Sequence, residues 1–308
     1  MRRLTDWTGL SGTDRGASVA MGNFDGVHLG HRAVIDLARR PPAPLGVLTF
    51  EPHPREYFAP DAPPFRLMNA ESRAHRLEKL GVERLYEVRF DARLAGMEAE
   101  AFAREVLAEG LGIVHVTVGT NFCFGKGRGG TVALLQEFGA RLGFGVTVAD
   151  LVGVGGQEIS STAIRAALSE GRPRDAAAML GHWHRIEGEV IHGEKRGRAL
   201  GYPTANMALD RLHLPRFGVY AVKADVLDGP QAGSYGGVAS LGVRPMFGAD
   251  APNLETFLFD FAGDLYGRHL SVAFVDYLRP ELHLDGLPAL IDQMAADSDR
   301  ARAVLAQL

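Results

Sequence analysis

Ser18-Val-Ala-Met-Gly-Asn-Phe-Asp-Gly-Val-His-Leu-Gly-His31 decides how the first half of this chain is read. A short strand over 18–22 runs into a turn through Gly22 and Gly26. Leu29 then opens a helical pattern that reaches Arg40 and stops at Pro41-Pro42. A strand, a glycine turn and a helix in that order begin a βαβ unit. The alternation continues outward from it. Strands are expected at 45–50, 84–90, 114–119 and 144–151, and helices at 71–80, 98–109, 131–142 and 161–169. This predicts an α/β domain with a parallel sheet and helices on both faces. Open sheets of that kind bind ligands beyond the carboxyl ends of their strands, where the Gly22–His31 turn falls.

The pattern changes at Gly181-His-Trp-His184. Short β runs separated by glycine and proline follow, at 185–192, 218–226, 236–241, 254–259 and 270–277. Leu287, Leu290, Ile291, Met294, Val304, Leu305 and Leu308 then form an apolar stripe at helical spacing. Several strands and one packing helix predict a small β-barrel closed by a terminal helix. The expected domains are 1–181, a Rossmann-like sheet, and 182–308, the barrel.

The chain has 308 residues, 46% of them hydrophobic and 23% charged, which supplies two cores and excludes disorder as the dominant state. No apolar run reaches the ~18 residues that span a bilayer. The start, Met1-Arg-Arg-Leu-Thr-Asp-Trp7, has no apolar stretch behind its basic flank and is not expected to be a signal peptide. The one cysteine, Cys123, excludes an intrachain disulfide framework and fits a reducing cytoplasm. A net charge of -4 with no basic half argues against nucleic acid as a partner. The 38 glycines concentrate in loops at 22–30, 119–130, 193–201 and 236–248, where backbone must approach something closely.

His28 and His31 are three apart, so at a helix start they share a face. A helix N-terminus offers unpaired N–H groups and the positive end of a dipole. Together these suit a phosphate chain. The plainer reading is a surface helix start with two ordinary histidines. A metal site is a third reading, without the carboxylates or cysteines that would accompany it. Ile159-Ser-Ser-Thr-Ala-Ile-Arg165 opens another helix, where the hydroxyls either cap the helix or meet a ligand, and Arg165 adds a cation suited to phosphate oxygens. Thr49-Phe-Glu-Pro-His-Pro54 and Gly119-Thr-Asn-Phe-Cys-Phe-Gly125 also lie at strand ends. Gly125-Lys-Gly-Arg-Gly-Gly130 fits a dinucleotide fingerprint by letters only, because it follows a late strand and not the first.

The string Gly22–His31 resembles the nucleotidyltransferase H-x-G-H signature in the form found in bacterial FMN adenylyltransferases. The resemblance implies that His28, His31 and Arg165 stabilise charge on ATP phosphates. It implies that Gly22, Asn23, Phe24, Asp25, Gly30, Ser160, Ser161 and Thr162 help bind them, and that His53, Asn121 and Phe122 lie near the flavin.

In the second half, Gly193-Glu-Lys-Arg-Gly-Arg-Ala-Leu-Gly-Tyr-Pro-Thr-Ala-Asn206 carries the chemistry. Gly193, Gly197 and Gly201 free the backbone to wrap an anion, and Lys195, Arg196 and Arg198 supply charge, although such a run is often only a solvated loop. Thr204 and Asn206 point the same way in an extended segment and offer hard oxygens to Mg²⁺. No P-loop is present. The segment resembles the riboflavin kinase signature, with Tyr202 for the usual Phe. Gly218-Val-Tyr-Ala221, Gly242-Val-Arg-Pro245, Leu254-Glu-Thr-Phe257, Asp264-Leu-Tyr-Gly267 and Leu278-Arg-Pro-Glu281 match in order. Met246, Leu284 and Gly286 depart from the family pattern. The resemblance implies that Glu255 is the base for the riboflavin 5′-hydroxyl and that Arg244 meets the flavin.

Both signatures, in this order, resemble the bifunctional bacterial riboflavin kinase/FMN adenylyltransferase (FAD synthetase) family over about residues 15–305. The implied partners are riboflavin, FMN, FAD, ATP, ADP and pyrophosphate, with Mg²⁺ as cofactor. The expected setting is cytoplasmic, without nucleic acid or membrane, as a monomer or weak homo-oligomer. Two readings stay open beside it: an enzyme with one degenerate domain, hinted at by Met246, and a non-catalytic flavin-binding protein.

Overall fold

Val19, Ala20, Val47 and Leu48 are fully buried, as expected of parallel strands covered on both faces. They belong to a six-stranded sheet in a computed structural model that describes residues 1–150, 153–154, 157–192, 201–209, 211–243, 252–283 and 285–308. The strands are β1 (Arg2–Leu4), β2 (Ser18–Met21), β3 (Leu45–Glu51), β4 (Arg84–Arg89), β5 (His115–Gly119) and β6 (Gly145–Ala149). They pair in parallel in the order β1-β4-β3-β2-β5-β6. The chain builds outward from β2 through β3 and β4, then returns to add β5 and β6 on the other side. The carboxyl ends of β2 and β5 therefore form a topological switch point. Gly153–Val154 (β7) and Gln157–Glu158 (β8) pair as a two-stranded ribbon.

The connecting helices are α1 (Leu29–Leu37), α2 (Pro54–Phe58), α3 (Ala70–Lys79), α4 (Ala92–Ala95), α5 (Ala99–Ala101) and α6 (Val132–Leu142). The helix expected over 98–109 differs: after α5 the chain widens into a π-helical run, Phe102–Gly110. Phe102, Val106 and Leu107 bury themselves there beside Leu135 and Phe138 of α6. The Arg15 guanidinium donates to the carbonyls of Glu109 (2.6 Å) and Gly110 (2.7 Å), satisfying the end of the run.

The second structure is a closed antiparallel barrel ordered β10-β13-β12-β11-β14-β9. Its strands are β9 (Arg185–Ile191), β10 (Thr204–Ala208), β11 (Gly218–Val226), β12 (Gly233–Val243), β13 (Pro252–Leu258) and β14 (His269–Arg279). Tyr220, Val222, Ala224, Leu241, Leu254, Val272 and Phe274 fill its interior. Val219, Ala221, Phe259 and Leu278 face outward under Ala301 and Val304 of the terminal helix α9 (Gly286–Leu305). Arg279 grips Asp297 through Nε (3.0 Å) and Nη2 (2.7 Å) and fastens that helix. The helices α7 (Ser161–Ser169) and α8 (Pro173–Leu180) share a core with Leu67.

By density of contacts the chain divides into two units. One is Met1–Pro63 with Arg73–Ile159; the other is Pro64–Ser72 with Ser160–Leu308. The parallel sheet and the barrel with its terminal helix are the architecture expected from the sequence. β1, β10 and α8 were not anticipated. β10 has five residues behind Pro203; its extended run, which sets Thr204 and Asn206 on one side, becomes a strand by pairing with β9 and β13. α8 did carry signals: Pro173 in its first turn and Gly181, at φ +72°, as its stop.

Candidate active sites

In the sheet unit the turn after β2 is built from backbone shapes that few residues adopt. Phe24 (φ +52°), Gly26 (φ +86°) and Val27 (φ +42°) all take left-handed conformations. Phe24 and Val27 pay for that strain by burying their side chains almost completely. The turn delivers His28 to the N-cap of α1, where its Nδ1 accepts a hydrogen bond from the His31 N–H at 3.2 Å. An accepting Nδ1 leaves the proton of a neutral imidazole on Nε2, so His28 presents a donor there. Gly30 permits this: a Cβ on it would stand 3.1 Å from the His28 ring.

The two imidazoles stack, with centroids 3.6 Å apart and planes 16° from parallel. Phe24 covers His31 from 5.2 Å. The His31 Nδ1 is buried with no hydrogen-bond partner among the described residues. Enclosure first, and His28 second, hold its pKa well below the ordinary imidazole value. At neutral pH His31 therefore carries no charge of its own, and a neighbouring anion would favour its charged form.

Both histidines line a cavity of about 230 Å³ with Gly22, Phe24, Gly30 and Asn121. A second cavity of about 590 Å³ adjoins it across Gly22, Asn121 and Phe122, which line both. Its walls are largely apolar and include Phe50, Phe58, Phe90 and Phe102, with His53 and Asn23 among the polar lining. Phe90 receives Phe58 edge-on at 5.7 Å and Phe50 at 5.9 Å. His53 caps α2, its Nδ1 accepting from the Arg55 N–H at 3.0 Å while Glu56 accepts from the His53 N–H. Asp25 is buried in the turn. The aromatic walls were missed in the sequence because Phe50, Phe58, Phe90 and Phe102 sit in four separate segments with no common spacing.

In the second unit Ser160 caps α7, its Oγ accepting from the Ala163 N–H at 3.2 Å. Ser161 and Thr162 stand in the first turn. Arg165 donates through Nε to the Phe65 carbonyl at 2.6 Å and lies over the Phe65 ring.

On the barrel, β10 and β13 run antiparallel with Asn206 opposite Glu255 and Thr204 opposite Phe257. Alternation along the two strands puts Thr204, Asn206 and Glu255 on one face and Ala205, Met207, Leu254 and Thr256 on the other, and Asn206 is itself buried. The Asn206 Nδ2 donates to the Thr204 carbonyl at 3.3 Å. Tyr202 packs against Phe257, with centroids 5.0 Å apart. A cavity of about 290 Å³ is lined by Pro203, Thr204, Asn206, Thr256, Phe261 and Tyr266 among others. Gly201, at φ +81°, supplies the turn into it. Gly193, Lys195, Arg196, Gly197, Arg198 and Arg244 lie outside the described residues, as do Met246 and Leu284.

Among the described residues no helix is long and apolar enough to cross a membrane, and no cluster of three or more His, Cys, Asp or Glu could hold a metal.

A family model described as FAD synthetase matches residues 10–163, and one described as riboflavin kinase matches residues 180–305. A bifunctional riboflavin kinase/FMN adenylyltransferase from Pseudomonas fluorescens is 42% identical, over 95% of this chain and 94% of its own. Its counterpart in Escherichia coli K12 is 40% identical over 93% of this chain and 92% of its own, and that of Bacillus subtilis is 35% identical over 92% and 90%. A solved structure described as a macrolide-efflux protein from Streptococcus pneumoniae aligns at TM-score 0.83 and 30% identity, covering 98% of each chain. Two family models in succession and relatives alike along nearly their whole length place the chain in one lineage: it belongs to the bifunctional riboflavin kinase/FMN adenylyltransferase family.

Proposed function

We propose that the family's two reactions are divided between the sheet and the barrel, with the residues described above as their machinery. The chain phosphorylates riboflavin with ATP to FMN and joins FMN to a second ATP to give FAD. The observation that carries the division is the stacked His28–His31 pair at a helix N-terminus, in a cavity that adjoins an aromatic one.

In FAD formation an oxygen of the FMN phosphate attacks the α-phosphorus of ATP. The bond from that phosphorus to the bridging oxygen breaks, and pyrophosphate leaves. The attacking group is already an anion, so no protein base is needed. His28 donates from Nε2, and the N-terminus of α1 adds its N–H groups, toward the charge that grows on the phosphates. His31 becomes able to hold a proton once the triphosphate lies beside it. Arg165, with Ser160 to Thr162, keeps the phosphate assignment that its motif gives it. Asn121 lies between the flavin and the transferring phosphate, and the aromatic walls around Phe90 take the flavin rings by stacking.

In FMN formation the riboflavin 5′-hydroxyl attacks the γ-phosphorus, and ADP leaves. Glu255 accepts the hydroxyl proton, an effect worth about 10²–10⁴-fold in rate. ATP-using kinases and adenylyltransferases of this kind need a divalent metal, and the donors here fit a hard cation. The Thr204 hydroxyl and the Asn206 Oδ1 are neutral oxygens on one strand face. These two would hold Mg²⁺, which when bound neutralises phosphate charge. The reading has the chain act in the cytoplasm as a monomer or weak homo-oligomer, without nucleic-acid or membrane partners.

Chromatography of flavins after incubation with riboflavin, ATP and Mg²⁺ tests the whole reading. FMN followed by FAD is expected. FMN alone would overturn the assignment of the sheet, and FAD only from supplied FMN would overturn that of the barrel.

A further inference from the structure

We infer that Asn253 is a positioning residue for phosphoryl transfer, holding Asn206 and Glu255 at a fixed separation. The inference rests on the roles proposed above for those two residues. No motif in the sequence singles out Asn253. It stands two positions before Glu255 on β13, so both side chains leave the same face of the strand. Across the ladder Asn206 faces Glu255, and Ala208 faces Asn253.

The Asn253 amide reaches both partners. Its Nδ2 donates to the Glu255 Oε1 at 3.3 Å and to the Asn206 Oδ1 at 3.5 Å. Asn206 is turned to receive it, because its own Nδ2 is directed to the Thr204 carbonyl. One NH₂ group has two hydrogens, which is the number this bridge needs. The Asn206 Oδ1 keeps a second lone pair for a cation. Groups that orient a metal ligand without touching the metal commonly change affinity or activity by about 10–100-fold when removed.

The surroundings explain why a neutral donor occupies this position. Gly242 of β12 pairs with Asn253, and the Glu281 carboxylate lies over Gly242 where a side chain would otherwise stand. An acid at 253 would bring a further carboxylate to a place that already has Glu255 and Glu281. A hydroxyl has one hydrogen and could serve only one partner.

The test compares Asn253→Ala, Asn253→Ser and Asn253→Asp in the full chain, with FAD formation from FMN as the control for folding. Asn253→Ala should lower kcat for riboflavin phosphorylation about tenfold and raise the Mg²⁺ midpoint by a similar factor. The KM for riboflavin should change less than about twofold, since the amide is assigned no flavin contact. Asn253→Ser should recover part of the loss, and Asn253→Asp should be the most impaired. A readout without turnover is water-proton relaxation with Mn²⁺ and ADP: the Mn²⁺ site lost in Asn206→Ala should weaken in Asn253→Ala. Unchanged kcat and Mn²⁺ binding in Asn253→Ala would overturn the inference, as would a loss confined to riboflavin KM. If Asn253→Ala also loses FAD formation, Asn253→Ser decides by the same criteria. Glu255→Gln and Asn206→Ala run alongside separate the two failures. Full kinase activity in those variants overturns the underlying reading, whereas their loss with an unaffected Asn253→Ala overturns only the role of Asn253.

Discussion

On the reading proposed above, the sheet and the barrel handle phosphate with different equipment. In the sheet the groups come from a turn and a helix start: backbone N–H groups and two stacked imidazoles at the carboxyl end of β2. On the barrel they come from neighbouring strands: a hydroxyl, two amides and a carboxylate on the faces of β10 and β13. The difference follows the nucleophile. A phosphate arrives already charged, so its site needs only groups that accept more negative charge. A hydroxyl must lose a proton, so its site needs a base. A base beside phosphates repels them unless a cation is held nearby, which the oxygens of Thr204 and Asn206 are suited to do.

The sharpest way to break this comparison is to damage one site and read both products. His28→Ala should lower FAD formation by about 10³-fold, the scale of losing an oriented donor to transition-state charge, and leave FMN formation intact. His28→Asn restores a residue that caps helices well and still lacks the imidazole. Recovery of FAD formation in His28→Asn would reduce His28 to a cap. The mirror experiment is Glu255→Gln, with an expected loss of about 10²-fold in riboflavin phosphorylation and unchanged adenylylation of supplied FMN. Product chromatography reads both, and parallel loss of the two activities in either variant would break the division.

Smaller effects refine it. Gly30→Ala places a methyl against the His28 ring and should cost FAD formation about tenfold, without the loss of a functional group. A steady-state assay showing no change would mean that the stack is not needed in its observed form.

The smallest effect concerns stability. His184, where the barrel begins, is buried with its Nε2 unpartnered among the described residues. Burial first, then His182 and His213, push its pKa down to about 3. The unfolded chain binds that proton at about 6.5. The stability associated with neutral His184 is therefore complete above about pH 6.5 and is lost as pH falls from there toward 3, by up to ~1.4 kcal/mol per pH unit. His184→Leu should flatten the acid side of the unfolding temperature profile. An unchanged slope between pH 6 and 4 would contradict the burial argument.

Local chemistry made much of the molecule legible beforehand. The glycine turn before His28, the Ser160 cap and the stop at Gly143 are events within a few residues of chain, and α7 spans Ser161–Ser169 as its sequence predicts. The closed barrel follows from runs of alternating strands that have no other way to cover their edges. The extended run at Thr204–Asn206 was legible but its place as a barrel strand was not, because five residues behind a proline carry too little pattern and their pairing partners lie outside their own stretch.

The sequence by itself determined the order of elements, the place of the two histidines at a helix start, and the pairing of Thr204 with Asn206 on one face, because each depends on spacing along the chain. The tertiary structure alone decided that His28 and His31 stack, since a ring can fold back only where Gly30 leaves room. It alone gathered Phe50, Phe58, Phe90 and Phe102 around one cavity, since strand ends and loops meet in an order that no local pattern encodes. It alone set Asn253 between Asn206 and Glu255, because cross-strand register is fixed by the whole barrel and not by either strand.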